Sequence, residues 1–203
     1  MRIENVAIVG MGALGVMYGD FFTAKLGKEH VEFVADKARI DRFQQEGIFC
    51  NGRLCDFSMA DEAESGRSAD LLIFAVKATG LQAAIHTVRN KVSRNTIILS
   101  LLNGITSEEI IGKAYGMDPI LHCIVQGMDT IKEDNQVTYA HFGKIYLGIH
   151  DENEVKKQNL QAVVDLFDRI DMPYAVEDDI LRRMWCKLML NVGVNQSVMI
   201  YEG

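Results

Sequence analysis

"VAIVGMGALGVMYG", residues 6–19, decides how this chain folds. An apolar run, Val6–Val9, meets three glycines, Gly10, Gly12 and Gly15, and the chain then turns helical. The run reads as a strand buried on both faces, the habit of parallel sheets. In such a strand–loop–helix unit the first glycine permits the turn. The second lets backbone approach a diphosphate, and the third lets the helix pack on the strand. The helix offers its unpaired N–H groups and positive dipole end to the same anion. An acidic residue about twenty positions on completes the pattern. Asp36 holds that place, at the end of the next apolar stretch, "VEFVAD" (31–36). Gly10, Met11, Gly12, Ala13, Leu14 and Gly15 are therefore candidate dinucleotide contacts, with Asp36 as acceptor for a ribose diol. A carboxylate there favours NAD and repels a 2′-phosphate. Lys37 and Arg39 beside it are cations that either reach a phosphate or stay solvated.

The same alternation continues along the chain. Apolar strands are expected at 5–10, 31–36, 69–77, 95–103 and 119–127, two more in antiparallel style within 129–150, and a short one at 173–178. Helices are expected at 13–27, 38–46, 81–92, 107–116, 152–170 and from Asp178 onward. Gly27 and Gly47 stop two of them, Ser107 caps a third, and Asp178 or Asp179 caps the last. Asn51-Gly52 marks the turn of a hairpin within 47–59. Strand alternating with helix predicts an α/β fold, a Rossmann-type doubly wound and mostly parallel sheet.

Bulk composition narrows the function. The chain has 203 residues, 48% hydrophobic and 24% charged, enough for one full core and part of a second. A net charge of −7 with no Lys/Arg run argues against nucleic-acid binding. The four cysteines, Cys50, Cys55, Cys123 and Cys186, show no C-x-x-C pair, and the five histidines no ligand spacing. Neither a disulfide framework nor a metal site is expected. With no secretory pattern at the N-terminus and no apolar run of about 18 residues, a cytoplasmic soluble protein without membrane contact is expected.

Ligands of open α/β sheets collect at the carboxyl ends of the strands. Lys77 in "FAVKATG", Asn103 in "SLLNGI" and Gln126 in "CIVQGMD" each follow an apolar strand. Lys77 can meet a carboxylate, and Asn103 a carboxamide or a substrate oxygen. In "DILRRMWCKLMLNVGVNQSVMI" (179–200), Lys187, Asn191 and Asn195 fall at i, i+4 and i+8. They share one helix face, each step drifting ~40° and rising ~6 Å. Half-buried amides and an ammonium among apolar neighbours need partners, and a ligand with oxygens supplies them. Burial also lowers a lysine pKa, which suits a general acid. The alternative is a polar stripe facing water, with Lys187 snorkelling.

Taken together, "GMGALG" (10–15), "VKATG" with Lys77, "LNGI" with Asn103 and "WCKLMLNVGVNQS" with Lys187, Asn191 and Asn195 resemble the 2-dehydropantoate 2-reductases, or ketopantoate reductases. They follow in family order over nearly the whole chain. The resemblance implies a Rossmann domain for the dinucleotide, over 1–177, and an all-helical substrate and dimerisation domain beginning at 178–203. It implies NADP(H) as cofactor and reduction of 2-dehydropantoate to (R)-pantoate, for pantothenate and coenzyme A synthesis. Lys187 would be the general acid, Asn191 and Asn195 would hold substrate oxygens, and Lys77 and Asn103 would sit where nicotinamide meets substrate. Asp36 stands where many members carry arginine, which leaves NAD(H) open. Asn195-Gln196 replaces a common Asn-Pro. The later Ser and Glu that close the family's site are not in this sequence, so a C-terminally truncated form is expected. The helix at 179–200 is too apolar to stand free, so either a homodimer through it or fraying of the helix is expected. A related hydroxyacid dehydrogenase acting on another keto acid, and a dinucleotide-binding module without turnover, are the rival readings.

Overall fold

The computed structural model describes residues 1–64, 66–151 and 153–201; the side chains of 195–197, 199 and 201 lie outside that description. Five strands, β1 (Val6–Val9), β2 (Val31–Ala35), β5 (Ser58–Asp61), β6 (Leu71–Phe74) and β7 (Ile97–Ser100), run parallel with the first half of a sixth, β8 (Ile120–Met128). Their order across the sheet is β5-β2-β1-β6-β7-β8. The third strand thus lies outside the second and the first, and the fourth to sixth follow on the other side, the doubly wound order. Beyond β8, β11 (Phe142–Gly148) pairs antiparallel with it, and β12 (Tyr174–Val176) pairs parallel with β11. The expected Rossmann-type, mostly parallel sheet is present.

Both faces of the sheet are covered, which is why its strands read as unbroken apolar runs. Side chains alternate between two cores. Ile8, Leu71 and Ile73 face one, with Val16 and Phe22 of α1 (Ala13–Leu26) and Val163 and Phe167 of α5 (Glu154–Arg169). Ala7, Val9, Leu72 and Phe74 face the other, with Leu81 and Ala84 of α3 (Leu81–Thr87) and Ile111 of α4 (Ser107–Tyr115). Burying one such large side chain stabilises the fold by about 1.5–3 kcal/mol relative to exposure.

A second, four-stranded sheet lies against α1. It runs β4 (Arg53–Leu54), β3 (Phe49–Cys50), β10 (Gln136–Thr138), β9 (Ile131–Glu133). Asn51 and Gly52 both take positive φ, 48° and 75°, as a two-residue hairpin turn of the I′ type demands. Arg53 of this hairpin donates to Asp20 of α1 at 2.7 Å. The pairing of β3 with β10 joins segments far apart in sequence and was not expected.

Three expectations need correction. Residues 129–150 hold three strands, β9, β10 and β11, where two are expected. The helix expected at 81–92 leaves α geometry after Thr87 and ends in a tighter turn, Arg89–Lys91. Tertiary bonds explain this: Ala69 N–H donates to the Lys91 carbonyl, and the buried Lys91 ammonium meets Glu32 at 2.8 Å. Ser107 is not a cap. Thr106 holds that position without a side-chain bond, while the Ser107 hydroxyl donates to Glu108 at 2.9 Å. At the last helix, α6 (Ile180–Tyr201), Asp179 does accept from the Arg182 N–H, at 3.0 Å. Among the described residues no helix is long and apolar enough to cross a membrane.

Candidate functional site

The doubly wound order reverses between β1 and β6, and there the glycine loop stands. Gly10, at φ 103°, turns the chain out of β1. A Cβ on it would sit 2.6 Å from the Ala75 carbonyl oxygen at the end of β6. A Cβ on Gly15 would overlap the Gly10 carbonyl, so helix and loop touch through it. Gly12 differs. Its φ is −74°, which any residue adopts, and the nearest atom to a Cβ there is the Ala75 oxygen at 3.7 Å. Nothing within the described protein requires a glycine at 12. With no side chain at the exposed Gly12, open space lies directly before α1, whose first turn has no side-chain cap and no acidic residue. Free N–H groups and an open backbone therefore face the same space, a ready anion site.

The other expected residues line up along this sheet edge in strand order. Asp36 follows β2, the glycine loop follows β1, Lys77 follows β6, Asn103 lies beyond β7, and Gln126 is on β8. At strand spacing the row from β2 to β8 spans about 19 Å. Asp36 caps α2 (Lys37–Glu46): Oδ1 accepts from the Arg39 N–H at 2.9 Å, and Arg39 Nε lies 3.2 Å from Oδ2. Lys37 pairs with Asp41 at 2.9 Å on the surface. Lys77 opens the turn Ala78–Gly80 with its side chain exposed, and Asn103 is exposed in the β7–α4 loop.

At the far end of the row α6 crosses β8. Ile180 and Met184 pack on Ile124, and Arg183 stacks over the Tyr146 ring at 3.5 Å. β7 pairs with β8 only at Ile120 and Leu121, so β8 runs past its neighbour. On that overhang the Val125 carbonyl accepts from Lys187 Nζ at 2.7 Å. Burial pushes the Lys187 ammonium below the ordinary lysine pKa, with Cys123 opposing weakly. Asn191, one turn on, is half-buried. The side chain of Asn195 lies outside the described residues.

Two contributors to this edge were not expected. Ser100 Oγ donates to Ser107 Oγ at 2.8 Å, and Ser107 passes the chain to the buried Glu108 carboxylate. This pins both ends of the loop that carries Asn103; burial raises the Glu108 pKa. The sequence signal was present in Ser107-Glu108, yet it reads equally as a helix cap. Lys132 of β9 donates to the Met11 carbonyl at 2.6 Å from 121 residues further along the chain. Nothing local announces such a contact.

The family model for ketopantoate reductase PanE/ApbA matches residues 6–152. The chain is 26% identical over 201 residues to a 2-dehydropantoate 2-reductase of Pyrococcus horikoshii, a match over 98% of this chain and 64% of that protein. The chain thus spans less than two thirds of that relative's length. It superimposes on D-mandelate dehydrogenase in complex with NADH with a TM-score of 0.82 at 21% identity, over 98% of this chain and 64% of that one. A dimeric ketopantoate reductase from Staphylococcus aureus gives 0.73 at 19%, over 98% and 69%.

Proposed function

The chain belongs to the ketopantoate reductase PanE/ApbA family, and from that premise we propose that it binds a nicotinamide dinucleotide and reduces 2-dehydropantoate to (R)-pantoate. The observation that carries this reading is the row along the carboxyl edge. It begins at a carboxylate, passes an open glycine loop at an uncapped helix N-terminus, and ends at a half-buried lysine. The open backbone at Gly12 and the free amides of Ala13 and Leu14 fit a diphosphate. Asp36 meets the adenosine ribose, and Lys77 and Asn103 meet the nicotinamide end and the substrate. The bound cofactor supplies a hydride for the keto carbon.

Lys187 supplies the proton. One of its three N–H bonds is held by Val125, which fixes the ammonium while two others remain for a substrate oxygen. Burial lowers the cost of leaving a neutral amine once the proton has gone to the carbonyl oxygen. Asn191 and Asn195 hold the remaining substrate oxygens. The family resemblance points to NADPH. The carboxylate of Asp36 favours NADH, and with it the second reading, a related dehydrogenase acting on another 2-keto acid. The exposed apolar residues of α6 support pairing of two copies through that helix.

The test is consumption of NADPH or NADH by the chain on adding 2-dehydropantoate, read by nicotinamide absorbance. Lys187→Ala is expected to lower turnover by roughly 10²–10⁴ while cofactor binding stays. Turnover should fall as pH rises through the lowered lysine pKa, because the acid must be protonated. Turnover untouched by Lys187→Ala contradicts the role. Consumption with another 2-keto acid but not with 2-dehydropantoate selects the second reading.

A further inference from the structure

Lys132 stands apart from the other surface lysines. It comes from the small second sheet, yet its ammonium rests on the glycine loop, donating to the Met11 carbonyl. Its stem passes the Phe43 ring, with Nζ 5.8 Å from the centroid. The side chain is half-buried, and among the described residues no carboxylate lies within ion-pair distance of it. Glu46, the acid that acts on it, reaches Arg42 instead at 3.9 Å, and Arg42 itself repels Lys132. A partly desolvated ammonium that gives one of three donors to a neutral carbonyl is short of partners. Met11 lies between Gly10 and Gly12, so this charge stands one residue from the bare glycine and the uncapped start of α1.

Resting on the dinucleotide reading above, we infer that Lys132 is a cofactor-binding residue that completes the anion site of the glycine loop by pairing with the diphosphate. The helix amides supply directional donors and Lys132 the full positive charge that the loop itself lacks. It does so from a sheet that otherwise contributes nothing to the carboxyl edge. That gives the second sheet a task beyond covering α1: it delivers a cation to the phosphate loop. The diphosphate is common to NADH and NADPH, so Lys132 strengthens both equally and takes no part in choosing between them.

The test is titration of the chain with NADH and with NADPH, followed by nicotinamide fluorescence at low and high salt. Lys132→Ala and Lys132→Gln are each expected to weaken both nucleotides about tenfold and to flatten the salt dependence; Lys132→Arg should retain most of the affinity. Gln keeps a donor for the Met11 carbonyl without the charge. Wild-type affinity in the Gln variant would therefore reduce Lys132 to a clamp on the loop and overturn the inference. A loss confined to NADPH would assign it to the 2′-phosphate and overturn it as well. Thermal melts of the variants must match the parent, and a large loss of stability in all three would likewise mark a structural clamp. Failure of the unsubstituted chain to bind either nucleotide would instead overturn the dinucleotide reading, and this assignment with it.

Discussion

At the scale of single residues, three glycines in one loop are there for different reasons. Gly10 is needed for its positive φ and its contact with Ala75, and Gly15 for its contact with the Gly10 carbonyl. Gly12 is needed for neither. Gly15→Ala is therefore expected to cost about 1–3 kcal/mol of stability, because backbone has to move. Gly12→Ala should cost no more than about 1 kcal/mol, yet weaken dinucleotide binding at least tenfold. Thermal melts and nucleotide titration on the two variants check this. A Gly12→Ala chain that binds normally would show that the open space at Gly12 is unused. The loop was legible because its constraints are local: strand, turn and helix follow one another within fourteen residues. Lys187 was legible only in part. Its helical spacing from Asn191 shows in the sequence, but its acceptor, the Val125 carbonyl, exists only because β8 outruns β7.

At the scale of elements, parallel strands and their covering helices were readable because burial on both faces writes continuous apolar runs. What escaped was settled by long-range pairing. The helix at 81–92 tightens after Thr87 because Lys91 must reach Glu32, a partner on β2. The two-residue strands β3 and β4 carry too little pattern to reveal that β3 pairs with β10. Where β8 meets β11, an exposed clasp holds the junction. Asp129 accepts from the backbone N–H groups of His141 and Ala140, at 2.8 and 2.9 Å, and from the His141 ring at 2.7 Å. These bonds, the His141 N–H foremost, hold its carboxyl down at about 2. A depressed carboxylate contributes stability above its unfolded value and loses it as pH falls through the folded one. The melting temperature of Asp129→Ala should therefore lie below that of the parent above about pH 4. The gap should close as pH falls toward 2. A gap that stays constant with pH would show that ionisation of Asp129 is not what holds the clasp.

At the scale of the whole molecule, the sheet does two jobs. Its two faces bury the cores, and its carboxyl edge gathers Asp36, the glycine loop, Lys77, Asn103 and Lys187 into one row. The row could be anticipated residue by residue, but its order came from sheet topology, which no single stretch of sequence carries. α6 leaves the sheet beyond Lys187, with Met189, Leu190, Val192 and Val194 exposed. If two copies pair there, the sedimentation coefficient rises with concentration, and the joint substitution of Leu190 and Val194 by Asp abolishes the rise. A coefficient independent of concentration in the parent chain would contradict pairing. The most direct test of the edge as the dinucleotide site is amide hydrogen exchange with and without NADH or NADPH. Exchange should slow at residues 10–16, around 77–80 and around 101–105, and stay unchanged at the opposite strand ends near 29–31 and 67–69. Slowing at those opposite ends, or nowhere, would contradict the account.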